Sequence, residues 1–143
     1  MKYSKVMKER IRRVQVLLQE LGYELFDEER LDESFSSAFL STEGVQGMFF
    51  IEQENRFLEV AYNLTFSPQL AFFLQQRMGE IVETCFEYGC YLNTYSDENA
   101  VSLSIFSKVY FSGLNYSSLR DTLEDFTQCA MEVKETLSLK ESD

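Results

Sequence analysis

The sequence predicts a two-layer α+β protein: a mainly antiparallel sheet of about five strands with helices on one face, in the order α-βββ-α-ββ-α. Three segments repeat apolar residues at steps of three and four, which is typical of amphipathic helices. Between them, apolar and polar residues alternate, which indicates strands with one buried face. Short polar turns join these strands, so neighbours run antiparallel and the helices can cover only one face.

The first helix is predicted over residues 4–21, and Gly22 favours its C-terminal end. Its apolar residues form one stripe: Met7, Ile11, Val14, Leu18 and Leu21. Six basic residues and one acid stand among the first 13 residues, whereas the rest of the chain is strongly acidic. Positive charge at a helix N-terminus opposes the helix dipole. We therefore expect this charge to serve something other than helix stability, such as pairing with the acidic body.

Residues 23–44 are strongly acidic, and we expect a solvated loop there, followed by a strand near residues 34–40. A β-hairpin is predicted next, with strands over 45–52 and 56–66 around a polar turn at 53–55. One face of its second strand is apolar and carries Leu58, Val60, Tyr62, Leu64 and Phe66. Because side chains alternate along a strand, Phe57 and its alternate neighbours belong to the opposite face.

The second helix is predicted to begin at Ser67 and Pro68, the N-cap and the first helical residue, and to end at Gly89. Proline fits the first helical position because the N–H that it lacks would have no partner there. The predicted apolar face of this helix comprises Leu70, Phe73, Leu74, Ile81, Val82, Cys85 and Phe86.

The remaining elements are two strands, over about 90–96 and 100–111, and a last helix over about 117–137. Ser118 to Asp121 approximates a capping box at the start of that helix. Residues 138–143 are expected to fray.

The chain is expected to form one domain, residues 1–143, and its composition excludes several activities. Acidic residues number 24 and basic residues 13, the net charge is −11, and there is no histidine. Without histidine, the chain cannot form a Ser-His-Asp triad, a Cys-His dyad or a histidine-ligated metal site. Because negative charge repels phosphate backbones, no nucleic-acid partner is expected. No apolar run approaches a membrane span, so we expect a cytoplasmic protein without membrane contact.

Motifs for catalysis are also absent from the sequence. There is no glycine-rich phosphate loop and no serine in a nucleophile elbow. Cys85, Cys90 and Cys129 show no metal-binding or disulfide spacing, and no basic residue close in sequence would lower the pKa of Cys85 or Cys90. We interpret them as reduced, inert thiols, and we expect no catalytic residue, no metal and no cofactor.

The sheet face turned away from the helices is the most informative surface. If the Leu58 side meets the helices, the opposite face carries five aromatic residues, Phe57, Tyr91, Tyr95, Phe106 and Tyr110, joined by Met48 or Phe49 according to register. Tyr, Phe and Met are enriched at protein interfaces, so these five residues are the predicted partner-binding residues. The alternative is that a loop, or the acidic segment 23–44, covers this face within the monomer.

The order of elements and one segment resemble a known family. The run from Val109 to Leu119, which leads into an amphipathic helix, and the strand that ends at Ser67-Pro68 look like the YbjN-like pattern. Small acidic chains with this element order resemble the type III secretion chaperone-like fold. One branch holds chaperones for secreted effectors, which are usually dimeric, and the other holds the YbjN-like bacterial proteins, named as candidate sensory transduction regulators. The resemblance implies no catalytic motif.

The predicted function is therefore that of a non-enzymatic bacterial protein-binding module, which binds a protein partner or an unfolded polypeptide through the aromatic sheet face. We also expect a homodimer, and the stripes on the first and last helices leave helix-mediated dimerisation open. The alternative function is a small-molecule sensor or small enzyme with a pocket between sheet and helices. A third possibility is an acidic protein that neutralises a basic partner.

Overall fold

A computed structural model describes residues 3–138 and confirms the α+β class, with six strands instead of about five. The helices are α1 (Lys5–Glu20), α2 (Ala71–Glu87) and α3 (Tyr116–Thr136). The strands are β1 (Glu24–Arg30), β2 (Ser34–Leu40), β3 (Gln46–Glu52), β4 (Phe57–Phe66), β5 (Tyr91–Ser96) and β6 (Val101–Tyr110). They form one sheet in the order β1-β2-β3-β4-β6-β5, and every neighbouring pair is antiparallel. The predicted fraying of the tail concerns residues that lie largely outside the described range.

The additional strand is β1, which replaces the predicted acidic loop. It pairs with β2 along the edge of the sheet, where only Leu25 is partly shielded and packs against the core. The remaining side chains of β1 are exposed. The sequence of β1 therefore lacks the alternation of apolar and polar residues that would indicate a strand. The register shifts between Phe26 and Glu29, where Asp27 adopts a φ of 55°. Main-chain pairing with β2 therefore accounts for a strand that the side-chain pattern does not indicate.

The ends of the helices agree with the prediction at α1 and differ at the other two. Ser4 caps α1, since its hydroxyl accepts a hydrogen bond from the Met7 N–H. Pro68 begins a short 3₁₀ turn ahead of α2, but the Ser67 side chain makes no capping bond. The capping box of α3 joins Asn115 and Ser118, which corrects the predicted box from Ser118 to Asp121.

The hydrophobic core lies between the three helices and one face of the sheet. The predicted stripe of α1 is buried at Met7, Ile11, Val14 and Leu18. On the sheet, Leu58 and Val60 are fully buried, as the alternation along this strand predicts. The largest buried side chains include Phe35, Phe39, Phe49 and Phe126, and they fill the space between the layers.

The basic first half of α1 binds main-chain carbonyl groups. Arg10 donates to the Asn55 carbonyl at 3.1 Å, in the turn between β3 and β4. Arg13 donates to the Leu114 carbonyl at 2.6 Å, in the connection from β6 to α3. The ion pairs within residues 3–138 all join residues close in sequence, such as Arg12 and Glu9. The basic residues Arg10 and Arg13 thus bind α1 to two connections of the chain. This role is structural, and it is distinct from stabilising the helix itself.

Candidate protein-binding surface

Strand register brings the five predicted partner-binding residues to one face of the sheet. Phe57 stands opposite Tyr110, and Tyr91 stands opposite Phe106. Tyr95 pairs with Ser102, on the same side as Phe106. Directly opposed residues in antiparallel strands point to the same side, and the helices pack on the other side. We call this uncovered surface, made of Phe57, Tyr91, Tyr95, Phe106 and Tyr110, the aromatic face.

A lysine connects the rings of the aromatic face. The ring centroids of Phe57 and Tyr110 are 5.6 Å apart, and those of Tyr91 and Phe106 are 5.5 Å apart. The Lys108 ammonium lies 4.4 Å from the Phe57 centroid and 5.2 Å from the Tyr91 centroid. Cation–π attraction at these distances holds the lysine between the two pairs. The rings and the lysine therefore contact one another without any partner.

The tyrosines of the aromatic face remain accessible to a partner. Tyr91, Tyr95 and Tyr110 are 48%, 62% and 56% exposed. Phe57 and Phe106 are half-buried beneath them. Apolar surface that groups several aromatic rings in one patch is typical of interaction sites.

The register also settles which residues accompany the aromatic face. Met48 joins it, because Met48 pairs with Ala61, which pairs with Phe106. Phe49 points the other way and is fully buried in the core. Two aromatic residues that were not predicted, Phe50 and Phe26, also lie on the open side further along the sheet. Alternation from Met48 could have indicated Phe50, whereas Phe26 depends on the unpredicted strand β1.

The acidic segment extends the sheet and leaves the aromatic face open. Its residues 24–30 form β1 at the edge opposite β5, with β2, β3, β4 and β6 between the two. The alternative that this segment covers the aromatic rings is therefore wrong for residues 24–30, which form β1.

The two edges of the sheet differ in chemistry. β1 carries charged side chains and a register shift, features by which natural sheets prevent pairing with other strands. β5 has the sequence YLNTYS, with no charge and no proline, and within residues 3–138 it pairs only with β6. The edge at β5 is thus a template for an added strand, and it adjoins the aromatic face.

A groove runs beside this edge, between β5 and α2. It encloses about 350 Å³ and is lined on the helix by Leu74 and Met78, and on the strands by Thr94, Tyr95 and Val101. A strand added to β5 would direct alternate side chains towards this groove and towards the aromatic face.

The outer side of α2 is apolar, which corrects the predicted burial of this helix. Leu74, Ile81 and Cys85 are buried as predicted. Phe86 is 85% exposed and Val82 is 49% exposed, although both were assigned to the buried face. Phe72, nearer the start of the helix, is 69% exposed.

Two of the three cysteines meet, although their spacing in the sequence gives no sign of it. The sulfur atoms of Cys85 on α2 and Cys129 on α3 are 3.9 Å apart. The Cys90 sulfur lies 3.3 Å from the Ser107 hydroxyl. Hydrogen bonding to Cys129, and then to Ser107, lowers the pKa of Cys90 to about 7. No group of three or more Cys, Asp or Glu residues in the described range is arranged to hold a metal ion.

The pocket required by the sensor alternative would lie between sheet and helices. That space is occupied by fully buried side chains such as Phe39, Phe49 and Phe126. A cleft of about 370 Å³ beside α3 opens at the surface, where exposed Glu43 and Glu124 line it. The interior is therefore filled, whereas the aromatic face is open.

The fold and this surface define a class of α+β proteins with three helices on one side of an open antiparallel sheet. No protein-family model and no curated protein matches the sequence. Among solved structures, an uncharacterized protein from Methanothermobacter thermautotrophicus is similar, with a TM-score of 0.73 and 14% identity over 92% of this chain and 98% of that one. YbjN, a candidate transcription regulator from E. coli, is similar with a TM-score of 0.55 and 13% identity over 87% of this chain and 91% of that one. The chain has a YbjN-like fold.

None of the helices within residues 3–138 combines the length and the apolar character needed to cross a bilayer.

Proposed function

We propose that the protein is a non-enzymatic binding module that holds an extended polypeptide segment along β5 and against the aromatic face. The observation that carries this proposal is the continuity between exposed aromatic rings and an unprotected sheet edge. Tyr91 and Tyr95 belong to both features, since they lie on β5 and on the aromatic face.

The mechanism is strand addition. Main-chain groups of the partner pair with the outer edge of β5 and supply affinity that does not depend on sequence. One set of partner side chains then lies beside Tyr91 and Tyr95, and the alternate set enters the groove lined by Leu74 and Met78. The groove selects apolar side chains at alternate positions, and the aromatic face receives the side chains between them.

The preferred partner is basic as well as apolar. The chain has a net charge of −11, so long-range attraction speeds encounter with a cationic segment. Asp97 and Glu98 lie in the turn that follows β5, close to the end of an added strand. The exposed faces of Tyr95 and Tyr110 can also receive a lysine or arginine side chain. A chaperone for an unfolded segment and a regulator that captures a flexible tail would both use this chemistry.

The homodimer that we propose uses the outer side of α2. Phe72 and Phe86 each lie seven residues from Gly79, or about two helical turns. If the α2 helices of two copies paired antiparallel around Gly79, Phe72 of each copy would contact Phe86 of the other. The two contacts would be equivalent, as two-fold symmetry requires. Space around Gly79 is open, because a Cβ built there meets nothing within 4 Å. The symmetric spacing favours a second copy of the chain as the partner that covers the outer side of α2.

The test of the binding proposal uses a short fluorescent peptide of alternating valine and lysine. Fluorescence anisotropy should show binding by the wild type, weaker binding at high salt, and weaker binding when glutamate replaces lysine. The double variant Tyr95→Ser with Phe106→Ser should lose at least about tenfold in affinity. Tyr116→Ser is the matched control, since this exposed tyrosine lies on α3 and should leave binding unchanged. Equal affinity of the double variant and the wild type would exclude the aromatic face as the binding surface.

A further inference from the structure

Among the described residues, a cavity at one end of the sheet is lined by two arginines and by no acidic side chain. Its volume is about 290 Å³, and its lining residues are Arg10, Arg56, Tyr110, Phe111 and Ser112. The whole chain carries 24 acidic and 13 basic residues, so this local excess of positive charge contrasts with its composition. The proposed peptide binding uses neither arginine. Two guanidinium groups in one concave site, with no carboxylate in its wall, are typical of anion binding.

The fold brings the two arginines together from different layers. Arg56 lies in the turn that leads into β4, and its carbonyl oxygen accepts a hydrogen bond of 2.9 Å from the Phe111 N–H, where β6 ends. Arg10 reaches the same place from α1. Its guanidinium donates to the Asn55 carbonyl at 3.1 Å, and its central carbon lies 4.4 Å from the centroid of the Phe111 ring. Residues 55–56 and Phe111 therefore position both arginines at one cavity.

Both guanidinium groups keep hydrogen-bond donors for a ligand. Arg10 uses one of its N–H groups for the Asn55 carbonyl, and its other N–H groups make no hydrogen bond in the part of the chain that the structure describes. In the same part of the chain, the exposed Arg56 side chain makes no hydrogen bond and no ion pair. Glu54 lies in the same turn, but it does not line the cavity and pairs with neither arginine. Ser112 can add a hydroxyl donor to the wall.

We propose that this cavity binds a phosphoryl group, either that of free phosphate or that of a small phosphate monoester. Two guanidinium charges match the charge of about −1.5 to −2 on a phosphate monoester at neutral pH, whereas a carboxylate carries a single charge. The planar fork of Arg10 or Arg56 can donate two parallel hydrogen bonds to phosphate oxygens. The half-exposed Tyr110 ring belongs to the same wall and lies beside any group esterified to the phosphate. Because the net charge of −11 opposes the approach of an anion, binding depends on these short-range contacts.

The test titrates the full isotope-labelled chain with inorganic phosphate and, separately, with ribose 5-phosphate, at constant ionic strength in a buffer without phosphate. NMR should show saturable shifts of the Nε–H signals of Arg10 and Arg56 and of the Ser112 amide. Tighter binding of ribose 5-phosphate would assign the site to a monoester, and equal or tighter binding of inorganic phosphate would assign it to free phosphate. Acetate should bind at least about tenfold more weakly than either probe, because it offers one charge and fewer acceptor oxygens.

A charge-matched pair of variants locates the site. Arg56→Gln should weaken the binding of both phosphate probes by at least about tenfold, and its thermal unfolding should match the wild type because this exposed side chain has no partner among the described residues. Arg77→Gln is the control, since it removes the same charge from an exposed position on α2 and should leave the affinity unchanged. The proposal would be overturned by the absence of saturable shifts at the cavity, by acetate that binds as tightly as phosphate, or by wild-type affinity in Arg56→Gln.

Discussion

Replacement of Gly47 by alanine should destabilise the protein, because two groups occupy the space next to the Gly47 α-carbon. A Cβ built on Gly47 would lie 2.7 Å from Cζ of Phe39 and 2.8 Å from the carbonyl oxygen of Ala61. Ordinary contact begins at 3.4 Å, so Gly47→Ala requires neighbours to move by about 0.6–0.7 Å. Phe39 has no exposed surface into which its ring could turn, and the Ala61 carbonyl belongs to β4.

The expected cost of Gly47→Ala follows from this crowding. Overpacking of a filled core destabilises a protein by about 1–3 kcal/mol. For a chain of this size the midpoint of thermal unfolding should fall by about 3–9 °C. Circular dichroism on heating and in urea measures both quantities.

A matched control and a double-mutant cycle sharpen the experiment on Gly47. Gly113→Ala should stay close to the wild type, since a Cβ there meets nothing within 4 Å. Phe39→Leu shortens the ring that Gly47 contacts, so the cost of Gly47→Ala should be smaller in that background, with coupling of at least about 0.5 kcal/mol. An alanine variant at Gly47 that is as stable as the wild type would refute the packing of β3 against Phe39 and β4.

Three further predictions concern a cap, a titration and the proposed dimer. Asn115→Ala should destabilise the protein by about 1 kcal/mol in urea unfolding, because it removes the cap of α3; no change would contradict the capping box. The pKa of Tyr88 is raised to about 12 by its hydrogen bond to the Glu132 carboxylate, so this contact favours the folded state below pH 10 and is lost as the pH rises towards 12. Ultraviolet titration should show one phenol fewer in this late range for Tyr88→Phe, and an unchanged curve would contradict the contact. Phe86→Glu should convert a dimer to a monomer in light scattering, and a persistent dimer would exclude α2 as the interface.

The open face could be predicted from the sequence because strands have a simple periodicity. Side chains alternate strictly along β4 and β6, so placing Leu58 in the core also assigns Phe57 and Phe106 to the opposite face. The short connections from β3 to β4 and from β5 to β6 likewise predict that each of these two pairs runs antiparallel.

Strand β1 could not be predicted from side chains, because one partly shielded residue, Leu25, is all that it contributes to the core. Its structure depends on hydrogen bonds to β2, which the sequence of β1 does not reveal. The exposed position of Phe86 was missed for a related reason. Helical periodicity indicates which residues share a face. In α2 both the buried and the exposed side carry apolar residues, and periodicity does not show to which of the two Phe86 belongs.

The contact between Cys85 and Cys129 could not be predicted from the sequence. Cys85 and Cys129 are 44 residues apart, and they meet because α2 and α3 pack side by side. Spacing rules detect thiols on one local segment, whereas this contact arises from the packing of two helices.

Hydrogen exchange on the complex with the valine–lysine peptide tests the central proposal most directly. Strand addition predicts that amide groups of β5, between Tyr91 and Ser96, become protected when the peptide binds, while the amides of β1 exchange as before. Protection at β1, or binding without any protection at β5, would contradict the proposed mode of recognition.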